Sequence, residues 1–392
     1  MSTTPPVPLS VYQFEIYGKG LGGETPILPT TYEGMRARAE AELSSAAYGY
    51  VAGGAGEERT MDANREAFDR VRLLPRMLGE VGARDLTTTV LGTTLNAPIL
   101  LGPVGVLSIV HPDGELAVAR AANATGVTHV LSNAASTTIE DVADATPDAP
   151  RWFQLYPPND PEVRRSLVAR AEAAGNEAIV VTLDTLTMPW RPRDLQNAYL
   201  PFLLGEGIAN YTSDPAFRAK LAVPPEEDPQ AAVGMWAMTF PNPGMSWDDL
   251  AELRSETSLP LLVKGILHPD DARRAVELGV DGIVVSNHGG RQVDGSVGAL
   301  DQLPAIVAAV PETVPVLIDS GVRTGSDVLK ALALGAQAVL VARPWVWGLA
   351  LEGQAGVEQV VRSLLADFDL SLAMCGLSSV AEVGPDAIVP RP

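Results

Sequence analysis

Short apolar, β-branched runs recur along the chain, each bounded by turn signals. Runs of this kind read as strands buried on both faces of a parallel sheet. There are eight: Ala97–Pro103, Val127–Ser132, Arg151–Tyr156, Ala178–Asp184, Pro260–Gly265, Gly282–Ser286, Pro315–Asp319 and Ala338–Ala342. Ala-rich stretches with charged and apolar residues at helical spacing separate most of them: Glu115–Thr125, Thr138–Ala145, Pro161–Ala174, Pro269–Gly279 and Ser326–Gly335. His-Pro-Asp at 111–113 and 268–270, and Thr-Gly-Ser-Asp at 324–327, are helix-start signals. The alternation predicts an α/β protein, a (β/α)8 TIM barrel with an N-terminal helical extension and a long lid insertion after strand four. A doubly wound open sheet is the alternative. The polar residues fall at the strand ends all the way round, which favours closure.

The whole chain, 1–392, reads as one domain. Residues 1–76 form an N-terminal cap with one expected helix, Tyr32–Val51, covering the barrel floor or reaching a neighbour. The barrel spans 97–383. Residues 193–247 separate strand four from its helix and are rich in Pro and Gly. They read as a structureless lid, because a loop of that length just after a strand end is commonly functional. A C-terminal helix, Gly356–Met374, completes the outside.

Charge narrows the function. The formal net charge is -20, which opposes binding to nucleic acid or anionic membrane. Cys375 is alone, so no internal disulfide is expected. MSTTPPVPLSVYQFEIYG lacks a basic region followed by an apolar one, and no apolar run approaches the roughly 20 residues of a membrane span. A cytoplasmic location is expected. No metal site is expected.

Barrel enzymes build their sites from the C-terminal strand ends. Those ends carry Pro103-Val104-Gly105, Ser132, Gln154 and Tyr156, Thr182 and Asp184, Lys264, Ser286 to Arg291, Asp319 to Arg323, and Arg343. The ends of strands seven and eight, with their glycines, Arg323, Arg343 and a helix starting near Ser326, suit a phosphate. A Gly turn with surface arginines is the plainer alternative. Lys264 ends an apolar strand and can form a Schiff base, stabilise an anion or make a structural ion pair. His111 and His268 suit capping, and His129 suits packing within strand two. His288 alone lies in a Gly-flanked loop after a strand end, where it can accept a hydroxyl proton with Asp184 behind it. A satisfied structural histidine is the alternative. Arg191 and Arg291 suit a bidentate grip on a substrate carboxylate, although Arg191 alone also reads as a surface residue.

These residues stand in recognisable runs: YVAGGAGEERT, FQLY, TLDT, VKGI, SNHGGRQVDG and DSGVRTGSDVLKALALGA. They closely resemble the FMN-dependent L-2-hydroxy acid oxidases and dehydrogenases, from about Tyr32 to about Val383. The resemblance implies FMN, a small 2-hydroxy acid, O2 and a homotetramer or octamer. It implies that His288, backed by Asp184, is the base, and that Tyr50, Tyr156, Arg191 and Arg291 bind substrate. Pro103, Val104, Gly105, Ser132, Gln154, Thr182, Lys264 and Ser286 would hold the flavin and its ribityl chain. Asp319, Ser320, Gly321, Val322, Arg323, Ala342 and Arg343 would hold the ribityl end and phosphate.

FEIYGKGLGG, the Trp190–Leu195 run, the long insertion and Gly105 resemble the lactate 2-monooxygenase branch, which implies L-lactate as substrate and acetate, carbon dioxide and water as products. Gly105, where relatives often carry Ala, is expected to leave room beside the flavin. Ala134 replaces a bulky apolar residue and implies a wider pocket. Ala342 replaces a Gly, and Pro157-Pro158 is unusual. The rival readings are an oxidase or dehydrogenase releasing keto acid and H2O2, on a larger acid such as mandelate; a phosphate-barrel isomerase or Schiff-base aldolase; and a non-catalytic FMN-binding barrel.

Overall fold

In the computed structural model, residues 8–390 are described; the first seven residues of the segment read for a secretion signal lie outside them. Eight parallel strands close a barrel in chain order: Ile99–Leu101, Thr128–Ser132, Arg151–Leu155, Ile179–Thr182, Leu261–Ile266, Gly282–Val285, Val316–Ile318 and Ala338–Val341. The last strand pairs with the first, Leu340 opposite Leu100. Each strand lies within its expected run or one residue beyond it. Alternation sends Leu100, Val130, Trp152, Leu262, Val284, Leu317 and Leu340 into one interior cluster. The intervening residues face the helices in a second cluster.

The floor is closed by a hairpin rather than by the N-terminal segment. Thr88–Val90 and Thr93–Leu95 pair antiparallel, and their Val90 and Leu95 join the interior cluster. Trp152 Nε1 donates to Thr93 Oγ1 at 3.0 Å, tying the barrel to this plug.

The N-terminal extension differs from its expectation in count and place. Among the described residues it holds four helices: Val11–Gly20, Tyr32–Glu42, Ser45–Ala52 and Arg59–Asp69. The single helix expected over 32–51 is broken because Leu43 and Ser44 are extended, and the Ser44 side chain caps the next helix by accepting from Ala47 N. Ser45–Ala52 and Arg59–Asp69 lie at the barrel mouth, where Tyr50, Val51, Met61 and Asn64 line its cleft.

The insertion is not structureless. It contains the helices Pro192–Gln196, Ala209–Thr212, Pro215–Arg218 and Pro229–Thr239 and a 3-10 turn at Pro201–Leu204. Proline here starts helices instead of preventing them: Asp214 and Asp228 each cap a helix whose first residue is proline. Asn210 holds the segment to strand two's loop, accepting from Ile139 N at 2.9 Å and donating to Asn133 O at 3.2 Å. Arg193 pairs with Glu58 at 2.7 Å. The unusual Pro157-Pro158 pair presents carbonyls that accept from Asn242 Nδ2.

His111 and His268 sit at helix starts, each ring accepting an amide hydrogen two residues on. The C-terminal helix runs Arg343–Met374 with a break at Glu352-Gly353. Among the described residues no helix is long and apolar enough to cross a membrane.

His129 generates a stability prediction. It is buried on strand two with Nδ1 unpartnered, and burial pushes its pKa down to about 4. A pKa depressed in the folded state means that its stabilisation is complete above the ordinary value of 6.5 and is lost as pH falls through about 4. The loss is roughly 3 kcal/mol. Replacing His129 with Leu should flatten the fall in thermal midpoint between these pH values; parallel curves for the two proteins would contradict it.

Candidate active site

A cleft enclosing about 1490 Å³ of empty space, its open mouth included, lies at the C-terminal strand ends. Pro103, Val104, Gly105, Tyr156, Lys264 and His288 line it, with Tyr50, Arg191 and Arg291 from the mouth. Asp319, Ser320, Gly321, Val322, Arg323, Ala342 and Arg343 line its far end. The expected groups therefore converge on one cavity, with two exceptions in kind. Ser132, Gln154 and Thr182 lie below its wall as a buried chain: Ser132 Oγ donates to Gln154 Oε1 at 2.7 Å, and Gln154 Nε2 donates to Thr182 Oγ1 at 3.0 Å. Asp184 and Ser286 stand behind other side chains.

His288 Nδ1 lies 2.8 Å from Asp184 Oδ1. A carboxylate only accepts, so Nδ1 carries the hydrogen and Nε2 keeps its lone pair. Nε2 is 3.4 Å from the Tyr156 hydroxyl. Burial and the Lys264 charge outweigh the pull of Asp184 and hold the imidazole below its ordinary pKa, so the ring is neutral at neutral pH. Asp184 is held ionised, at about 2, because His288 and Lys264 overcome its burial. His288 sits in the left-handed region, φ 58°, a strained backbone kept by its surroundings.

Lys264 lies 3.1 Å from Asp319 Oδ2 and donates to Ser286 Oγ at 3.0 Å. Ser286 Oγ also accepts from His288 N at 2.9 Å. The strand bulges between Lys264 and Ile266, through Gly265 at φ 103°. A Cβ on Gly265 would meet Asp184 Cβ at 2.7 Å, so the close approach of the two strands needs glycine. Burial lowers the Lys264 pKa, but Asp319 and Asp184 more than restore it, and the group stays an ammonium. Schiff-base chemistry needs the free amine, so this environment opposes it.

The arginines are arranged unusually. Arg291 Nη1 donates to the carbonyls of Tyr50 at 2.7 Å and Gly53 at 2.8 Å. Arg343 donates to Val51, Gly53 and Gly289 carbonyls, each at 3.0 Å. Apart from Gly289, those partners are the last carbonyls of the helix Ser45–Ala52 and its cap, the negative end of its dipole. Neither guanidinium pairs with a carboxylate among the described residues. Burial and the neighbouring Arg191 push Arg291 down to about 9. This excess of half-buried positive charge suits an anionic ligand. Arg191 lies 3.6 Å from Asp194 and donates to the Arg291 carbonyl at 3.2 Å.

The helix after strand seven already uses several of its first amides within the chain. The helix Gly325–Ala333 is capped from within: Thr324 Oγ1 accepts from Asp327 N, and the Asp327 carboxylate accepts from Arg323 N and Thr324 N. Gly325 N donates to Asp367. Most amides of the helix start are thus already used; Arg323, whose Nη1 also pairs with Glu33 at 3.0 Å, and Arg343 are the charges that face the cleft.

Gly105 also differs from its expectation. A Cβ there would meet Ala134 O at 2.6 Å and Ala134 Cβ at 2.9 Å. The missing methyl admits the Ala134 backbone rather than leaving free space. Residues missed in the sequence include Tyr32, Met61, Asn64, Thr185, Phe202 and Phe240, all on the cleft wall. Thr185 follows Asp184 in the quoted TLDT run; Phe202 and Phe240 arrive by the fold of the insertion and leave no local signal.

A family model described as FMN-dependent dehydrogenase matches residues 39–390. The chain belongs to that family. It is 44% identical to an FMN-dependent alpha-hydroxy acid dehydrogenase of Penicillium citrinum over 98% of this chain and 96% of that one. It is 42% identical to an L-lactate oxidase of Lysinibacillus sphaericus, covering 92% and 93%. A crystal structure of mandelate oxidase with (S)-4-hydroxymandelic acid matches with TM-score 0.82 at 38% identity, covering 93% and 99%. The protein is therefore an FMN-dependent 2-hydroxy acid oxidoreductase. The donor set fits the cofactor of this family: an ammonium and unbalanced guanidiniums face one long cleft, as an anionic phosphate on a flat ring requires.

The neutral imidazole sets a pH dependence. In the free enzyme, kcat/KM should rise with pH on a limb whose midpoint lies below 6.5, as His288 loses its proton. A rate still climbing near about pH 8 would contradict a base held in this environment.

Proposed function

We propose that the protein oxidises L-lactate with O2 and keeps the keto acid in the cleft until it loses carbon dioxide. The overall balance is lactate plus O2 giving acetate, carbon dioxide and water. The observation that carries this reading is the insertion: it is pinned to strand two's loop and to Glu58, and its Phe202 and Phe240 line the cleft. A wall held at several points favours retention over quick release.

Bound FMN supplies the two-electron acceptor, which O2 regenerates. His288 takes the hydroxyl proton at Nε2, with Asp184 holding Nδ1 and stabilising the imidazolium. Arg191 and Arg291 grip the substrate carboxylate. Tyr50 and Tyr156 donate to substrate; burial pushes the Tyr156 phenol up to about 12, so it stays a donor. Lys264 meets negative charge with an ammonium already in place. Pro103, Val104, Gly105, Ser132, Gln154, Thr182 and Ser286 support the flavin side of the cleft. Asp319 to Arg323, Ala342 and Arg343 hold the phosphate side.

A second reading rests on Ala134, which lines the cleft. A small residue there suits a larger acid such as mandelate, released as keto acid with H2O2. In either case we expect one domain over 1–392, a cytoplasmic location and a homotetramer or octamer. Exposed Phe14 and Tyr17 on the helix Val11–Gly20 support self-association.

Given L-lactate in air, the purified holoenzyme should yield acetate with little H2O2. Pyruvate with stoichiometric H2O2 would overturn retention, and turnover of (S)-mandelate well above lactate would move the substrate. His288→Ala should abolish anaerobic bleaching of the flavin by either acid; unchanged bleaching would remove the base from the scheme.

A further inference from the structure

Thr185 is assigned no role by the family resemblance, yet its hydroxyl stands at the centre of the base. Thr185 Oγ1 lies 2.8 Å from Asp184 Oδ1 and 3.3 Å from His288 Nδ1. Gln292 Nε2 donates to the same oxygen. A hydroxyl has one hydrogen and two lone pairs. Asp184 can only accept, so it receives the Thr185 hydrogen. The two lone pairs then face the Gln292 amide and the His288 Nδ1 hydrogen. Every bond of this hydroxyl is used, and its hydrogen has nowhere else to go.

We propose that Thr185, oriented by Gln292, is a positioning residue that fixes the His288 tautomer and the Asp184 rotamer. The inference rests on His288 being the base. The Thr185 oxygen has no hydrogen left to offer Nδ1, so only the ring protonated at Nδ1 satisfies the cluster. Its lone pair at Nε2 then faces the cleft, next to the Tyr156 hydroxyl. Asp184 needs such a guide because its other oxygen, Oδ2, is buried with no hydrogen-bond partner. No other hydrogen bond among the described residues sets its rotation about the bond to His288. Gln292 needs its own orientation for the same reason. Its Oε1 is buried without a partner, and turning the amide over would aim an acceptor at Thr185. That would draw the hydroxyl hydrogen away from Asp184 and undo the order. A buried network of this kind is sensitive to a single lost hydrogen.

The groups that face His288 from neighbouring elements are Asp184 and Thr185 after strand four, Lys264 on strand five, Tyr156 after strand three, and Arg191. Removing the Thr185 hydroxyl leaves all these charges in place. A change in the pH profile would therefore report the orientation of the dyad rather than an altered charge.

The test compares Thr185→Val, Thr185→Ser and His288→Ala as FMN-loaded enzymes, using whichever of L-lactate and (S)-mandelate wild type turns over faster. Thr185→Val should lower kcat tenfold or more, change KM less than threefold, and shift the ascending limb of kcat/KM to lower pH as the Asp184 contact weakens. Thr185→Ser should restore both. Should Thr185→Val fold poorly, Gln292→Leu tests the same relay and should give the same shift. Profiles unchanged in Thr185→Val and Gln292→Leu, beside an inactive His288→Ala, would overturn the relay and leave the base. An active His288→Ala would remove both.

Discussion

The structure depends on how it answers unbalanced positive charge on its cleft wall. Arg291 and Arg343 are half-buried on the cleft wall with no carboxylate paired to them among the described residues, so each gives up part of its hydration and something must answer the charge. What answers it is one short helix. Ser45–Ala52 aims its last carbonyls and its Gly53 cap at both guanidiniums. Those carbonyls would otherwise be unpaired at the helix end. Two deficits thus cancel in part, and the remainder is a positive cleft that an anion completes. Residues far apart in sequence are fixed together by this one exchange, and the strand-six loop and the start of the last helix cannot shift independently of it.

The barrel supplies the rest of the geometry. Parallel strands bring His288, Lys264 and Asp184 from three successive ends within hydrogen-bonding reach of shared partners. The bulge at Gly265 lets strand five crowd Asp184, and Ser286 touches both the ammonium and the backbone of His288. Charge alternates around the cleft as ammonium, carboxylate and neutral imidazole. Each group's protonation is set by the next, which is why the base stays neutral beside a permanent cation.

Much of this was legible in the sequence, for a physical reason. Strands buried on both faces are continuous apolar runs, so all eight could be found, with ends misplaced by at most two residues. The polar residues following them mark the mouth, so most of the site was visible as well. The failures share a cause. Ser44 and Leu43 break a helix by local capping against an otherwise continuous helical pattern. Asp214-Pro215 and Asp228-Pro229 read as loop yet begin helices. The floor hairpin at 88–95 is too short to stand out. The carbonyls of Tyr50 and Gly53 belong to no side-chain motif, so the partners of the two arginines could be read only from the fold. Gly105 misled for a similar reason: the neighbour that needs its missing methyl is the Ala134 backbone, brought there by a different strand.

The central claim is that the cleft carries positive charge which a ligand's anion must complete. It is tested most directly by titrating the apoprotein with FMN and with riboflavin, which share the ring and differ in the phosphate. Charge-assisted bonds from Arg323 and Arg343 to the phosphate predict that FMN binds at least about a hundredfold more tightly, with the gap narrowing as salt is added. Affinities within about threefold of each other would contradict the account.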